Sequence, residues 1–244
     1  MKLSRFITFG LLCVASAGHG FGQSGLAPEP DSRLQADGTG WRLDRARITD
    51  SQRPRVLLIG DSILNGYLKG VTNALAGKAY VDAWVNPYHQ ASGRLQEMLG
   101  EVLANGPYNV IHVNMGLHGW QKGRIPDGQF ESLTKAYIEA LRLRAPGAAL
   151  IWATSTPVTR KDHPGELDLD INPVIVEHNR MVVKVMGEMN VPVNDLYALL
   201  AGRLELARGD QFHWTPPAYE ILAKAVADAA VRALPKRGRD GYGK

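Results

Sequence analysis

A chain of 244 residues, 45% hydrophobic and 21% charged, has the make-up of a soluble globular protein and the length for one domain with a substantial core. Its formal charge of +4 makes no nucleic-acid footprint: much of the basic excess lies at the two ends, in Lys2, Arg5, Lys236, Arg237, Arg239 and Lys244, and the signs mix between them. The one cysteine, Cys13, excludes an intramolecular disulfide.

Lys2 and Arg5 precede an apolar run over residues 6–15 that is too short to cross a bilayer comfortably. Ala15-Ser16-Ala17 then supplies small residues of the kind signal peptidase accepts. Residues 1–22 are therefore expected to be a signal peptide whose removal takes Cys13 with it. The mature chain would then hold no thiol for catalysis or metal binding, and would be exported, to the periplasm or beyond, with no stable membrane association. Leu12 before Cys13 argues against a lipoprotein. Residues 23–53 are polar and rich in Gly, Pro, Ser and Asp, and read as a linker or a strap over the domain.

The periodic part occupies residues 54–234, followed by a basic, flexible tail at 235–244. Residues 56–59 form a short continuous apolar run, as a central parallel strand buried on both faces requires. Similar runs recur at 79–85, 110–115, 148–153 and, more weakly, 191–193. Helical spacing is found between and after them at 67–76, 93–104, 129–143, 173–189 and 216–233, the last with Thr215 as N-cap and Pro216 in its first turn. Alternating strands and helices imply right-handed crossovers and a three-layer α/β/α sandwich around a mostly parallel sheet of about five strands.

Chemistry in such a sheet belongs at the carboxyl ends of the strands. Capable residues fall there: Asp61 and Ser62 after the first run, His89 to Gly93 after the second, Asn114 to Trp120 after the third, and Asp210 to His213 before the last helix. A histidine three residues after an aspartate can share one side of a tight turn, so that the carboxylate fixes the ring tautomer and leaves Nε2 as a base. The alternative is a turn-capping aspartate and a packed histidine. His89, His112, His163 and His178 are too scattered for a zinc motif, and His112 alternates into a buried strand as a core residue would. No metal or cofactor is implied.

Gly60-Asp61-Ser62-Ile63-Leu64 resembles the nucleophile block of the SGNH, or GDSL, hydrolase superfamily, and Asp210-Gln211-Phe212-His213 resembles its C-terminal Asp-x-x-His block. The resemblance runs from about Arg53 to Ala233. It implies the flavodoxin-like fold and an ester hydrolase with Ser62 as nucleophile, His213 as base and then acid, and Asp210 as orienting carboxylate. The oxyanion hole it implies comprises the Ser62 amide, the Gly93 amide and a third-block donor. That third block departs from the usual Gly-x-Asn-Asp: Gly116-Leu117-His118-Gly119 puts His118 at the asparagine position, with Asn114 at the strand end as the other candidate. Neutral imidazole also donates one N–H, so the role survives the exchange.

Asp61, Tyr88 and Trp120 are the candidate substrate-binding residues, and Trp214 lies at the same edge. Aromatic rings there either stack on sugar faces or pack beneath loops. Residues 159–173 read as a solvated loop that could rim the site. Export and a polar rim favour hydrolysis of acetyl or other short-chain esters on a small-molecule or polysaccharide substrate. The alternatives are a short-chain lipid esterase, a thioesterase, or a glycan-binding domain that has lost catalysis.

Overall fold

The computed structural model describes residues 42–235. The expected signal peptide, the linker up to residue 41 and the tail from 236 lie outside the described residues.

The first apolar run is strand β2 (Arg55–Gly60), preceded by a three-residue strand β1 (Arg42–Asp44) within the stretch read as linker. The chain continues through α1 (Ser62–Ala74), β3 (Tyr80–Val85), α2 (Leu95–Leu103), β4 (Val110–Asn114), α3 (Phe130–Arg144) and β5 (Ala149–Ala153). Next come β6 (Thr159–Arg160), β7 (His163–Leu167), α4 (Ile171–Glu188), β8 (Val193–Asn194), α5 (Leu196–Ala201) and α6 (Pro216–Ala233). The main sheet has the order β1-β3-β2-β4-β5-β8, parallel except for β1, which runs antiparallel along β3. It is the doubly wound sandwich the sequence predicts, with a sixth strand closing one edge.

Period-two alternation explains the layers. Val56 and Leu58 of β2 point into a core shared with α1, α5 and α6, while Leu57 and Ile59 point into a second core shared with α2, α3 and α4. His112 in β4 is fully buried, with Asn194 Nδ2 at 3.2 Å from its Nε2, and burial pulls its pKa down to about 4. It is the core residue the alternation indicates.

Two features set the edge at which the candidate residues gather. Gly60 lies in register between Val85 and Asn114, so β3, β2 and β4 end level and their following loops leave from one line. Helices α1 and α6 meet at very short range: a Cβ on Gly66 would lie 2.2 Å from the Tyr219 ring, and one on Gly70 would lie 2.6 Å from Ala223 Cβ. Small residues at this crossing draw the start of α1 toward the segment that enters α6.

Residues 159–167 are a paired hairpin, β6 with β7, where the sequence reads as a loop, and α4 starts at Ile171. Short polar strands held by backbone bonds leave no apolar period to read. Among the described residues, no helix is long and apolar enough to cross a membrane.

Candidate active site

Ser62 is the first residue of α1, immediately beyond β2. Asp61 caps that helix, its Oδ1 accepting the Ile63 N–H at 2.9 Å. The cap fixes the strand-to-helix bend and leaves the Ser62 amide in the first turn, where N–H groups lack intrahelical partners. Asp61 is buried beneath the serine, so it shapes the site from below and is not the exposed substrate contact expected of it. Burial pushes its carboxyl pKa up, against the opposing pull of His118, the Ile63 N–H and His213.

Far along the chain, Asp210 and His213 form the predicted tight turn. Asp210 Oδ1 accepts the backbone N–H of His213 at 2.8 Å, and Oδ2 lies 2.9 Å from His213 Nδ1. His213 Nε2 in turn lies 2.9 Å from Ser62 Oγ. Serine, imidazole and carboxylate are thus one unbroken hydrogen-bonded chain. Burial alone would raise the Asp210 pKa, but the backbone and ring N–H groups of His213 outweigh it and hold the carboxyl below its ordinary value.

The turn is braced from outside. Gln211 sits at φ 81°, a conformation uncommon for a non-glycine residue. Its Nε2 donates to Asp168 Oδ2 at 3.0 Å and its carbonyl accepts the Thr159 N–H at 2.9 Å. The β6–β7 hairpin therefore buttresses the Asp210–His213 turn. Thr215 holds the N-cap position of α6, but its hydroxyl donates to Leu206 O and makes no capping bond.

A cleft of about 250 Å³ opens over Ser62 and His213. Its other walls are Leu117, His118, Trp120, Gln121, Arg124 and Phe212, with the Trp120 and Phe212 rings stacked at 6.3 Å. His118 stands on a single 3-10 turn, Leu117–Gly119, and is partly exposed to the cleft. Gly116 lets that turn approach the β5 loop, since a Cβ there would lie 2.0 Å from Ser155 Oγ. Asn114, the other oxyanion candidate, is buried at the end of β4 and donates its amide to Thr154 O at 3.2 Å. The third block thus turns His118 toward the cleft and Asn114 toward the sheet.

The expectations for Tyr88 and Gly93 are corrected. Tyr88 is a core residue, its ring 6.0 Å from that of Trp84. Trp214, for which the sequence leaves stacking on a sugar or packing beneath a loop open, is packed: it is buried, with Nε1 3.3 Å from Thr156 Oγ1. Gly93 is exposed just ahead of α2 and forms no part of the cleft wall. The same loop instead brings His89 and Gln90 against Gly119, and the Gln90 amide is buried with no hydrogen-bond partner among the described residues. Sequence reasoning passed over Phe212 and Arg124. Phe212 sits inside the Asp-x-x-His block and could have been found as a residue whose neighbour's side chain enters the site, whereas Arg124 carried no signal.

No protein-family model and no curated protein matches this sequence. Solved structures do. An acetyl xylan esterase from Geobacillus stearothermophilus is 15% identical, over 75% of this chain and 95% of that one, with a TM-score of 0.56. A second acetyl xylan esterase is 18% identical over 72% and 98%, with a TM-score of 0.58. A protein assigned as a GDSL-like lipase from Parabacteroides merdae is 16% identical over 76% and 99%, also with a TM-score of 0.58. The domain has the flavodoxin-like α/β/α fold of the SGNH/GDSL hydrolases.

Proposed function

We propose that this protein is an exported serine esterase that removes acetyl or similarly short acyl groups from carbohydrate esters. The observation that carries the reading is the chain Ser62 Oγ, His213 Nε2, His213 Nδ1, Asp210 Oδ2, with both links at 2.9 Å and the serine open to a cleft.

The mechanism follows from those atoms. Ser62 Oγ attacks the ester carbonyl carbon as its proton passes to His213 Nε2, and Asp210 supports the imidazolium that forms. The carbonyl oxygen becomes an oxyanion, held by the Ser62 amide N–H at the start of α1 and by a ring N–H of His118. On collapse the alcohol leaves with the proton from His213, and the acyl group stays on Ser62. Water, deprotonated by the same imidazole, repeats the sequence and releases the acid. Gly93, expected to complete the oxyanion hole, has no part in this scheme.

The carbohydrate assignment rests on two supports. The cleft is small, with an aromatic wall of Trp120 and Phe212 on which a sugar ring can stack. Neighbours in fold include acetyl xylan esterases. The decisive measurement is hydrolysis of 4-nitrophenyl acetate by the wild type and by Ser62→Ala, with fluorophosphonate labelling alongside. Turnover and labelling that both depend on Ser62 are expected, and their absence refutes the esterase. Acetate release from acetylated polysaccharides, compared with glycerol esters and thioesters, then decides the alcohol.

A further inference from the structure

The wall of the cleft carries a charge that the triad does not use. Arg124 lines the same cleft as Ser62 and His213, on a short, well-anchored loop. Its N–H donates to Gln121 O at 3.1 Å, Gly123 turns at φ 84°, and the next residue, Ile125, is buried against Gly119. Arg124 Nη1 donates to the His118 carbonyl at 2.9 Å. The Nε–Nη2 edge has no partner, and no carboxylate lies within ion-pair distance of the guanidinium, among the described residues.

The charges around it do not cancel this cation. None of the residues lining the cleft is a carboxylate. Asp210 is engaged by His213, and Asp61 lies buried under the serine. His89, packed behind the same turn, is held neutral: burial first, then the nearness of Arg124 and His118, lowers its pKa to about 4. A cleft-lining guanidinium with one two-donor edge unpartnered among the described residues, in a cleft with no acid, matches a planar carboxylate, which takes two parallel N–H donors.

From this geometry we infer that Arg124 is a specificity-determining residue, and that the preferred ester carries a carboxylate close to its scissile bond. The inference rests on the esterase reading of the site. Two substrate types present the same chemistry: an acyl group ending in a carboxylate, as in a glutarate half-ester, and an acetyl ester on an acidic sugar such as glucuronate.

The test separates binding from turnover. On the Ser62→Ala protein, calorimetric titration with methyl hydrogen glutarate and methyl butyrate, and with O-acetylated glucuronate and O-acetylated glucose, should give at least tenfold tighter binding of the acid in one pair. Which pair responds identifies the acyl or the alcohol side. Arg124→Gln should erase that ratio and Arg124→Glu should reverse it, and 0.5 M salt should shrink it. In the Ser62-containing enzyme the same ratio should appear in kcat/KM for mono-4-nitrophenyl glutarate over 4-nitrophenyl butyrate if the acyl side is the one read. Equal binding of acid and neutral ester in both pairs, or a ratio that survives Arg124→Gln, overturns the inference. Loss of all turnover with the binding ratio intact would instead overturn the esterase reading and leave Arg124 standing.

Discussion

The two ends of the parallel strands each bury a carboxylate, and they treat it in opposite ways. At the amino end Asp82 is saturated. Its oxygens take Arg55 Nη2 at 2.5 Å, the Tyr108 hydroxyl at 2.9 Å and the Ala46 N–H at 2.9 Å. Burial, and then the charge of Asp82, push the Tyr108 hydroxyl well up, so it remains a donor. At the carboxyl end Asp61 accepts the Ile63 N–H but, among the described residues, has no basic side chain within ion-pair distance. What surrounds it is a serine, two histidines and an open cleft. A satisfied buried charge holds a structure together, whereas an unpaired one at a strand end lends its field to chemistry. Substitutions at the two ends should therefore damage different properties.

The largest separation is expected from Asp210→Asn. The change keeps the shape of the turn but removes the charge that supports the His213 imidazolium, and should lower kcat by about 10⁴ with little change in melting temperature. An activity loss under tenfold would mean that the Asp210 link is only a turn cap. The counterpart is Asp82→Ala. Breaking a buried, hydrogen-bonded pair should cost about 3–5 kcal/mol, read as a lower denaturation midpoint. The fraction still folded should keep its kcat/KM. If Asp82→Ala lowered kcat in folded protein, the division between the two ends would fail.

The next test lies within the active end. His118 faces the cleft and Asn114 is committed to the Thr154 carbonyl, so they should separate by what they lose. His118→Ala removes the proposed oxyanion donor and should lower kcat by about 10²–10³ with KM nearly constant. Asn114→Ala leaves a buried carbonyl without its donor and should lower stability by about 1–3 kcal/mol. A reversed pattern would return the oxyanion role to Asn114.

What was readable in the sequence follows from the range of the forces involved. Ser62, Asp210 and His213 were legible because a strand end and a four-residue turn fix them locally. The sheet was legible because a strand buried on both faces must be apolar throughout. The fate of Tyr88 was not, since its ring sinks into the core only through the path of the loop after β3. Arg124 enters the cleft because Ile125 anchors its loop against Gly119, a contact with no sequence period. β1 and the β6–β7 hairpin escaped for a related reason: backbone pairing holds them, and any polar residue can supply it. That hairpin nevertheless braces Gln211, so part of the support for the readable Asp210–His213 turn was itself unreadable.

The smallest expected effect is the most direct measure of the contrast between the two carboxylates. Asp61→Asn keeps an oxygen to accept the Ile63 N–H while removing the buried charge. Desolvation raises the folded pKa of Asp61 above its ordinary 3.8, so the folded state binds the proton more tightly than the unfolded chain. Whatever stability this group contributes is therefore complete below 3.8 and lost as pH rises through the raised folded value. Asp210, whose folded pKa is depressed, works the other way: its contribution is present above 3.8 and lost as pH falls through the folded value. Asp61→Asn should consequently raise the melting temperature by a few degrees at pH 7, and the gain should vanish below the unfolded pKa, where the native aspartate is protonated as well. Catalysis should move in the opposite direction, several-fold downward at pH 7, because the carboxyl group that interacts with His118 and His213 is gone. A stability gain that persists at pH 3 would mean that the asparagine packs better and that charge is not the cause. A gain confined to neutral pH and accompanied by slower turnover would show an unpaired carboxylate kept at the expense of stability because the site works through it.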